Sequence, residues 1–313
     1  MKNKRILKIA LALLALTSIL ASCTPASTTP STTTSGLLTT TTTKATTTTT
    51  KATTTTTSVA ITSTTTASTP QKPTTQIDPA IGAVLVFEDH FDGTEIDSTK
   101  WKKSREEYRH GTLCRWDHDM SFLDGEGSLV LRAEWDEKNG YVISGAIDTS
   151  GKFTYGYGYY EASICFPYAP GTWGAFWMMC GAVQWGDGVE IDVIESINNH
   201  EGESQSALHT YPTPSELESL TTIKGAYQSY NIYDGNFHTF GLERTADYYA
   251  FYIDGVKVWH VKGRNFKICP DKGYMWLSIE AADWCGAGTA ESIEALPAEM
   301  YVDYVRVYDQ RPW

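Results

Sequence analysis

The stretch VEIDVIES, residues 189–196, combines apolar β-branched residues with three acids. Its β-branched apolar residues predict a strand that other parts of the protein cover. Glu190, Asp192 and Glu195 interrupt that pattern, and an unpaired carboxylate is costly to bury. Three acids within six positions of a buried strand therefore indicate a site at which their charge is used.

The spacing of the three acids is informative because side chains alternate between the two faces of a strand. Glu190 and Asp192 are two residues apart, so they share a face. Glu195 is five residues after Glu190 and would face the opposite side in a regular strand. One extra residue, a β-bulge, would place all three carboxylates in a row, and such bulges are common beside active sites. We therefore predict a bulge in this strand.

With the bulge in place, Ile191 and one of Val193 or Ile194 would pack into the core behind the acids. Glu190 and Glu195 would have Cα atoms about 13 Å apart. Their side chains could then bring the carboxyl groups to about 5–5.5 Å, the separation found in retaining glycosidases. A solvated acidic face is one alternative. A calcium cluster is another, although calcium sites usually also draw ligands from loops and backbone carbonyls.

The part of the chain after residue 80 has the pattern of an all-β domain. Residues 248–261, YYAFYIDGVKVWHV, predict a hairpin because Asp254-Gly255 is a pair that the type I′ turn prefers. One short helix is expected in PSELESL, residues 214–220. Many short strands with regular turns predict a sandwich or jelly roll. The other predicted strands include residues 129–135, 157–167, 174–180, 206–211, 238–244 and 300–308.

The first 22 residues have a basic start followed by an apolar run that is too short to span a bilayer. We interpret residues 1–22 as a secretory signal peptide. Its last residues, Leu20-Ala21-Ser22-Cys23, resemble the lipobox of bacterial lipoproteins. We therefore expect a lipid on Cys23 that anchors the protein to the outer face of the cell membrane. The alternative is an ordinary signal peptide with an incidental cysteine.

Composition divides the remaining chain into a linker and a folded domain. Residues 23–78 are almost wholly Thr, Ser, Pro and Ala, so we expect a disordered linker. Residues 79–313 are expected to form one catalytic domain, which we expect to be monomeric. From residue 80 onward, 36 acidic residues stand against 18 basic ones. This excess argues against nucleic acid and against a strongly sulfated polysaccharide, unless a local basic cleft overrides it. A neutral ligand fits best.

The cysteines give little support to a metal or redox function. Cys165 and Cys180 lie in apolar strand-like runs and are expected to be buried thiols. The cysteines after Cys23 are odd in number and show no CxxC spacing, so their pairing stays open. They are Cys114, Cys165, Cys180, Cys269 and Cys285.

The acid row also resembles a known signature. Residues 190–195, EIDVIE, are similar to the bulged ExDxxE motif of glycoside hydrolase family 16. Further stretches resemble that family in the expected order, and together they cover about residues 85–308. They are LVFEDHFDGTEIDSTKW (85–101), GTWGAFWMM (171–179), Trp185 before the acids, HTFGLERTADYYAFYIDGVKV (238–258) and YVDYVRVY (301–308).

This resemblance implies a concanavalin-like β-sandwich jelly roll with a concave substrate cleft. It also implies endo-hydrolysis of a polysaccharide with retained anomeric configuration and no cofactor for catalysis. By position, Glu190 would be the nucleophile, Glu195 the general acid/base and Asp192 the residue that assists the pair. The bulged motif is typical of the laminarinase-like, agarase and carrageenase branches.

Aromatic side chains are expected to bind the flat faces of sugar rings. The candidates are Trp185, Trp284, Trp173 and Trp116, while Trp177 could lie in the core or in the cleft. Trp259 and Trp276 are expected to be structural. His209 resembles a family histidine near the acid/base, or else it is a surface or core histidine.

The stretch around Trp284, SIEAADWCGAG (278–288), differs from the usual sequence of the corresponding family strand. This difference leaves the identity of the substrate open. Many family members hold a structural calcium. Carried over by position, its ligands would be Glu88, the carbonyl of Gly127 and Asp303, and the alternative for Asp303 is a hydrogen-bonded structural role.

The sequence therefore predicts an endo-β-glucanase that cleaves β-1,3 linkages in 1,3- or mixed 1,3/1,4-glucan. A galactan hydrolase of the agarase or porphyranase kind is the alternative within the enzyme class. A non-catalytic surface glycan-binding protein is the alternative outside it, although such a protein has no need for two glutamates at this spacing.

Overall fold

The computed structural model describes residues 82–313 except 106, 110–112, 183–187, 199–201, 211–220 and 228–229. The predicted signal peptide, linker and short helix, and also Trp185, lie outside the described residues. Within the described part of the chain, no helix is long and apolar enough to cross a membrane.

The described residues form strands almost throughout, as the alternating apolar pattern predicts. One short α-helix, α1 (Ala290–Glu294), begins after the side-chain cap of Thr289. The strands are β1 (Leu85–Asp89), β2 (Lys102–Lys103), β3 (Glu107–Tyr108), β4 (Cys114–Trp116), β5 (Ser121–Leu123), β6 (Leu129–Asp136), β7 (Tyr141–Ser144), β8 (Ala146–Asp148), β9 (Gly158–Cys165), β10 (Thr172–Cys180), β11 (Val189–Ile197), β12 (Glu203–Thr210), β13 (Thr221–Ala226), β14 (His238–Arg244), β15 (Tyr248–Ile253), β16 (Val256–Lys262), β17 (Gly273–Ala281) and β18 (Ala298–Tyr308).

The strands form two sheets. One sheet has the order β13-β12-β11-β10-β17-β8-β2, with the acid-bearing strand β11 near its middle. The other has the order β16-β15-β14-β9-β18-β6-β7-β4-β3, with β1 beside β18 and β5 beside β6. Neighbouring strands are antiparallel except for the β4–β7 pair. This arrangement confirms the predicted all-β sandwich of the jelly-roll type.

The core lies between the sheets and is built by the period-two pattern of each strand. On β10, Phe176, Met178 and Cys180 are buried in the main core cluster. The residues that alternate with them, Ala175 and Trp177, belong to a separate cluster on the opposite face. One face of the β10 sheet therefore builds the core, and the other is available for a site.

Two local predictions are confirmed by the structure. Asp254 and Gly255 both have positive φ, 49° and 75°, as a type I′ turn between β15 and β16 requires. The side chains of Cys165 and Cys180 are buried, as predicted, and those of Cys114, Cys269 and Cys285 are buried as well.

Candidate active site

The predicted bulge is present in β11. Against β10, Phe176 pairs with Ile194 and Trp177 pairs with Asp192, so Val193 is an extra residue with no opposite partner. The pairing with β12 is irregular over the same segment, between Asp192 and Glu195. The extra residue offsets the odd spacing of the acids, so that Glu195 can face the same side of the sheet as Glu190 and Asp192.

The bulge brings the three acids onto one face of the sheet. Residues that lie directly opposite each other on paired strands share a face. The alternate residues of β10 that face away from the core therefore identify the face of their partners on β11. The pairs are Ala175 with Glu195, Trp177 with Asp192, and Met179 with Glu190.

The core behind the acids differs in one detail from the prediction. Ile191, Val193 and Ile194 are all buried in the core cluster, whereas only one of the last two was expected there. Because the bulge places two residues of β11 opposite one residue of its neighbour, both apolar side chains can turn toward the core.

A cavity of about 850 Å³ extends across β11, β10, β17 and β8 on the sheet face that carries the acids. Glu190 and Asp192 line it, together with tryptophan side chains and several charged residues. Such a mixture of aromatic surface and a few polar groups is typical of a ligand site. Other residues that line the cavity are Lys102, Arg105, Arg109, Trp116, Trp173, Trp177, Tyr274, Trp276, Ser278 and Glu280.

Asp192 lies at the centre of the acid row and is only 5% exposed. Burial raises the pKa of its carboxyl group well above the ordinary value, and the neighbouring charge of Glu190 raises it further, whereas Lys224 acts in the opposite direction. His209 lies on β12 directly opposite Glu190, and its Nε2 is 3.1 Å from Asp192 Oδ2. His209, one of the residues predicted from the sequence to bind substrate, therefore lies beside the acids.

Glu195 is also 5% exposed, and side-chain N–H groups hold both of its carboxyl oxygens. Trp173 Nε1 donates to Oε1 at 3.0 Å and Gln205 Nε2 donates to Oε2 at 2.8 Å. Burial, followed by the charge of Asp192, raises the pKa of Glu195 to about 8, although the Gln205 hydrogen bond acts against the shift. This carboxyl group is therefore protonated at neutral pH and can donate a proton.

Trp173 and Trp284 form an aromatic pair next to Glu195. Their rings meet edge to face at 4.9 Å and 67°, and Trp284 is 50% exposed. Both were predicted to bind substrate, and the structure places them together at the end of the acid row. An exposed indole beside a carboxyl proton donor is a suitable surface for the apolar face of a sugar ring.

Trp116 lines the cavity, but its ring is covered on both faces. It stacks on Trp276 at 5.2 Å, and the guanidinium carbon of Arg109 lies 3.9 Å from the ring centre. Trp276 in turn stacks on Trp177 at 5.1 Å. With 3% exposure, Trp116 has no free face on which a sugar could stack, so its predicted role is not available to it. We call Trp116, Trp276 and Trp177 the tryptophan stack.

Several residues that line the cavity were not predicted from the sequence. Trp276 was expected to be structural but lines the cavity, whereas Trp259 stacks on Phe251 as a structural residue would. Glu280 was missed although it interrupts an apolar strand just as the acids of β11 do. Its Oε2 accepts a hydrogen bond from Arg109 Nε at 3.0 Å. That interruption of the apolar pattern was the signal that could have found it.

Basic residues also line the cavity, on the side of β2 and β3. Lys102, Arg105 and Arg109 lie there, which is a local concentration of positive charge in an acidic domain. Lys102 Nζ is 3.7 Å from Asp148 Oδ2, and Arg109 pairs with Glu280. Two of these three cations therefore face acids of the same cavity.

The residues predicted to bind calcium lie on β1, just before β6 and on β18. Glu88 lies opposite Arg306 on β18, and its Oε2 is 3.3 Å from His90 Nε2. Asp303 lies three residues from Arg306, about 10 Å along the strand, where it is the extra residue of a bulge against β9. The calcium site, with Glu88, the carbonyl of Gly127 and Asp303 as its ligands, therefore stays a prediction.

Comparison with known proteins identifies similar chains. A family model described as "Beta-porphyranase A-D, GH16 domain" matches residues 83–310. A second, "New glue protein family", matches residues 1–110, a range that contains the Thr-rich segment.

Curated relatives include the "Beta-glucanase" of Rhodothermus marinus, 26% identical over 72% of this chain and 84% of its own length. The "Glucan endo-1,3-beta-glucosidase A1" of Niallia circulans is 24% identical over 76% of this chain and 39% of its own length. The "Keratan-sulfate endo-1,4-beta-galactosidase" of Sphingobacterium multivorum is 29% identical over 72% and 54%. The chain thus spans less than two thirds of the length of most curated relatives that it matches.

Solved structures share the fold. A Bacteroides ovatus mixed-linkage glucan GH16 protein in complex with its product superposes with a TM-score of 0.62. It is 25% identical, and the match covers 71% of this chain and 99% of that one. The catalytic domain of the Thermotoga petrophila laminarinase gives a TM-score of 0.62 at 24% identity, over 72% and 97% of the two chains.

Proposed function

The chain belongs to glycoside hydrolase family 16, and we propose that within this family it is a retaining endo-hydrolase of β-1,3-glucan or mixed 1,3/1,4-glucan. The observation that supports this proposal is that the extra residue Val193 aligns Glu190, Asp192 and Glu195 on one face of the sheet. Two glutamates on one face of a cleft, in different surroundings, can supply an acid and a nucleophile together.

In the first half-reaction, Glu190 attacks the anomeric carbon while Glu195 gives its proton to the glycosidic oxygen. The bond between that oxygen and the anomeric carbon breaks, and the sugar becomes an ester of Glu190. Glu195 suits the role of acid because its pKa is raised to about 8 and because Trp173 and Gln205 fix its two oxygens. Glu190 suits the role of nucleophile because it lines the cavity and is less buried than the other two acids.

In the second half-reaction, the carboxylate of Glu195 takes a proton from water, and the water attacks the anomeric carbon from the side that the leaving group occupied. The ester bond to Glu190 breaks and the anomeric configuration is retained. Asp192, whose pKa burial raises well above its ordinary value, can hold a proton between the two glutamates. His209 Nε2, 3.1 Å from Asp192 Oδ2, lies beside the carboxylate row on the neighbouring strand.

Three observations favour a neutral glucan as substrate. The region from residue 80 onward carries 36 acidic and 18 basic residues, which disfavours a polyanion. Two of the three cavity cations, Lys102 and Arg109, face the acids Asp148 and Glu280. These acids neutralise part of the positive charge that a polyanion would need. Several curated relatives are named glucanases.

A second candidate is a β-galactan hydrolase. The observation that favours it is the family model itself, which is described as a β-porphyranase domain and matches residues 83–310. One curated relative is named a keratan-sulfate endo-β-galactosidase. The basic residues on the β2 and β3 side of the cavity would tolerate a substrate with some negative charge.

We also propose that the protein acts as a monomer at the cell surface, held by a lipid on Cys23 and separated from the membrane by residues 24–78. The basic start, the apolar run and the LASC sequence support this proposal. Metabolic labelling with a radioactive or clickable fatty acid tests it, because Cys23→Ser should abolish the label.

The activity itself is tested by reducing-end release from laminarin, barley glucan, agarose and porphyran under one set of conditions. We expect laminarin or barley glucan to be cleaved at least tenfold faster than either galactan. Faster cleavage of a galactan would replace the first proposal by the second. Glu190→Gln should abolish release from the preferred polymer, whereas Glu137→Gln, in an exposed turn, should retain it. Binding without any release would favour the non-catalytic glycan-binding alternative.

A further inference from the structure

We propose that Glu190, Asp192 and His209 form a binding site for one divalent transition-metal ion, and that an ion bound there inhibits catalysis. Each residue offers one ligand atom, and the three atoms lie within 4.8 Å of one another. Among the described residues, this is the one such grouping of three or more His, Cys, Asp and Glu side chains.

Sheet geometry holds the three ligands together. Glu190 and His209 are directly opposite each other in the antiparallel β11–β12 pair, where Cβ atoms lie about 4.5–5.5 Å apart. Asp192 is two residues along the same face of β11, so it is diagonal to His209. The ligands therefore come from two paired strands near the middle of a sheet, and an ion would not have to order a loop to bind.

The orientation of His209 is that of a metal ligand. Its Nδ1 is 2.8 Å from the hydroxyl oxygen of Thr222, on the next strand β13, which leaves Nε2 directed at the carboxylates. Metal-binding histidines are usually fixed in this way, by a hydrogen bond to the ring nitrogen that does not hold the metal. Thr222 is therefore a positioning residue for the proposed site.

The buried carboxylate of Asp192 also points to a ligand. Its Oδ2 is enclosed and accepts no hydrogen bond within the described part of the chain, although it lies 3.1 Å from the imidazole nitrogen. A buried carboxylate oxygen without a donor is costly, and a cation between it and the imidazole would satisfy both groups.

The donor set selects the kind of ion. Two carboxylate oxygens and one imidazole nitrogen suit Zn²⁺, Ni²⁺ or Cu²⁺, which accept mixed nitrogen and oxygen ligands. Calcium and magnesium take six or more oxygen ligands and are disfavoured. Zn²⁺ commonly has three protein ligands and one open position, and the cavity supplies the open position in this protein. The protein therefore binds the ion at the floor of its cleft.

Such an ion would hold the side chain of Glu190 and so prevent its attack on a sugar. This consequence rests on the proposed function, but the binding itself does not. We therefore expect zinc or copper to inhibit glycan cleavage reversibly, and a chelator to restore the activity.

Isothermal titration calorimetry of the full chain with ZnCl₂ at pH 7, in a non-chelating buffer, tests the proposal. We expect one saturable site per chain. His209→Gln should weaken binding at least tenfold, and Thr222→Val should weaken it by about tenfold, as loss of an outer hydrogen bond to a metal ligand typically does. Thr222→Ser keeps the hydroxyl and should restore affinity to within about threefold. Thr221→Val, the neighbouring residue on the opposite face of β13, is the matched control and should bind like the unmodified chain.

Thermal unfolding of each variant shows whether it is folded, so that a loss of binding is not a loss of structure. The proposal is overturned if the unmodified chain shows no saturable zinc binding, or if folded His209→Gln binds zinc within twofold of it. Zinc should also reduce reducing-end release, and EDTA should restore it. Zinc binding without any detectable glycan cleavage would leave the metal site standing and overturn the proposed function.

Discussion

Glu195 lies three residues after Asp192 in β11, yet the two carboxylates share one face of the sheet because Val193 is an extra residue between them. Their partners on β10, Ala175 and Trp177, are only two residues apart. The same bulge leaves the apolar residues between the acids in the core. One additional residue thus serves both the packing of the sandwich and the alignment of the proposed catalytic groups.

Removing the proposed acid should affect substrates according to their leaving group. Glu195→Ala should reduce polysaccharide cleavage by about 10²–10⁴-fold, the usual contribution of general acid–base catalysis. Formation of the ester from an activated aryl glycoside should fall by less than about tenfold, because its leaving group needs no proton. Pre-steady-state release of the aryl group measures that step. An equal loss on both substrates would contradict the role of Glu195 as acid.

The alkaline side of the pH profile should report Glu195. Its pKa is raised to about 8, so kcat/KM should fall as the pH rises through that value and the proton is lost. Gln205 donates a hydrogen bond to this carboxylate and so favours the charged form. Gln205→Leu should therefore raise the pKa and move the alkaline limb to higher pH. A limb that moves down, or does not move, would show that another group controls it.

Trp276 is expected to contribute mainly to stability, and Trp284 mainly to substrate binding. Trp276 is stacked between Trp116 and Trp177, so Trp276→Ala should lower the free energy of unfolding by about 3–5 kcal/mol. Trp284 is half exposed, so Trp284→Ala should change that free energy by less than about 1 kcal/mol and raise KM by about tenfold. Urea unfolding and glucan kinetics on both variants measure these effects. An unchanged KM for Trp284→Ala would remove this residue from the substrate site.

A histidine on β14, in the sheet that does not carry the acids, should make stability depend on pH. His238 Nδ1 is 2.8 Å from Asp254 Oδ2 and its Nε2 is 3.1 Å from Asp234 Oδ1. The hydrogen bond to Asp254 raises the pKa of His238 above its ordinary value of 6.5. Because the folded pKa exceeds the unfolded one, the stabilisation is complete below about pH 6.5 and is lost as the pH rises through the folded pKa.

His238→Gln should therefore lower the free energy of unfolding by about 1 kcal/mol more at pH 5.5 than at pH 9. Urea denaturation at the two pH values measures the difference. His118→Gln, an exposed histidine in the turn before β5, serves as the control and should show no such dependence. An equal destabilisation by His238→Gln at both pH values would show that the ion pairs do not contribute.

Features that depend on neighbouring residues could be predicted from the sequence. The bulge follows from the odd spacing of the acids among apolar residues, and the turn at Asp254-Gly255 follows from the backbone freedom of those two residues. The all-β architecture follows from strand periodicity and turn spacing.

Features that depend on pairing between distant segments could not be predicted. Trp116 and Trp276 are 160 residues apart in the chain, and only the approach of β4 to β17 covers the ring that was expected to bind a sugar. The Arg109–Glu280 ion pair arises in the same way. The position of Glu88 relative to Asp303 depends on the register of β1 against β18, which strand periodicity alone does not determine.

The stereochemistry of the first product tests whether Glu190 and Glu195 act by double displacement. If Glu190 and Glu195 act together by double displacement, proton NMR recorded in the first minutes of glucan cleavage should show the β-anomer of the new reducing end. The α-anomer should then appear only as the sugar mutarotates. An α-anomer that forms first would mean direct attack by water, and it would contradict the role of Glu190 as nucleophile.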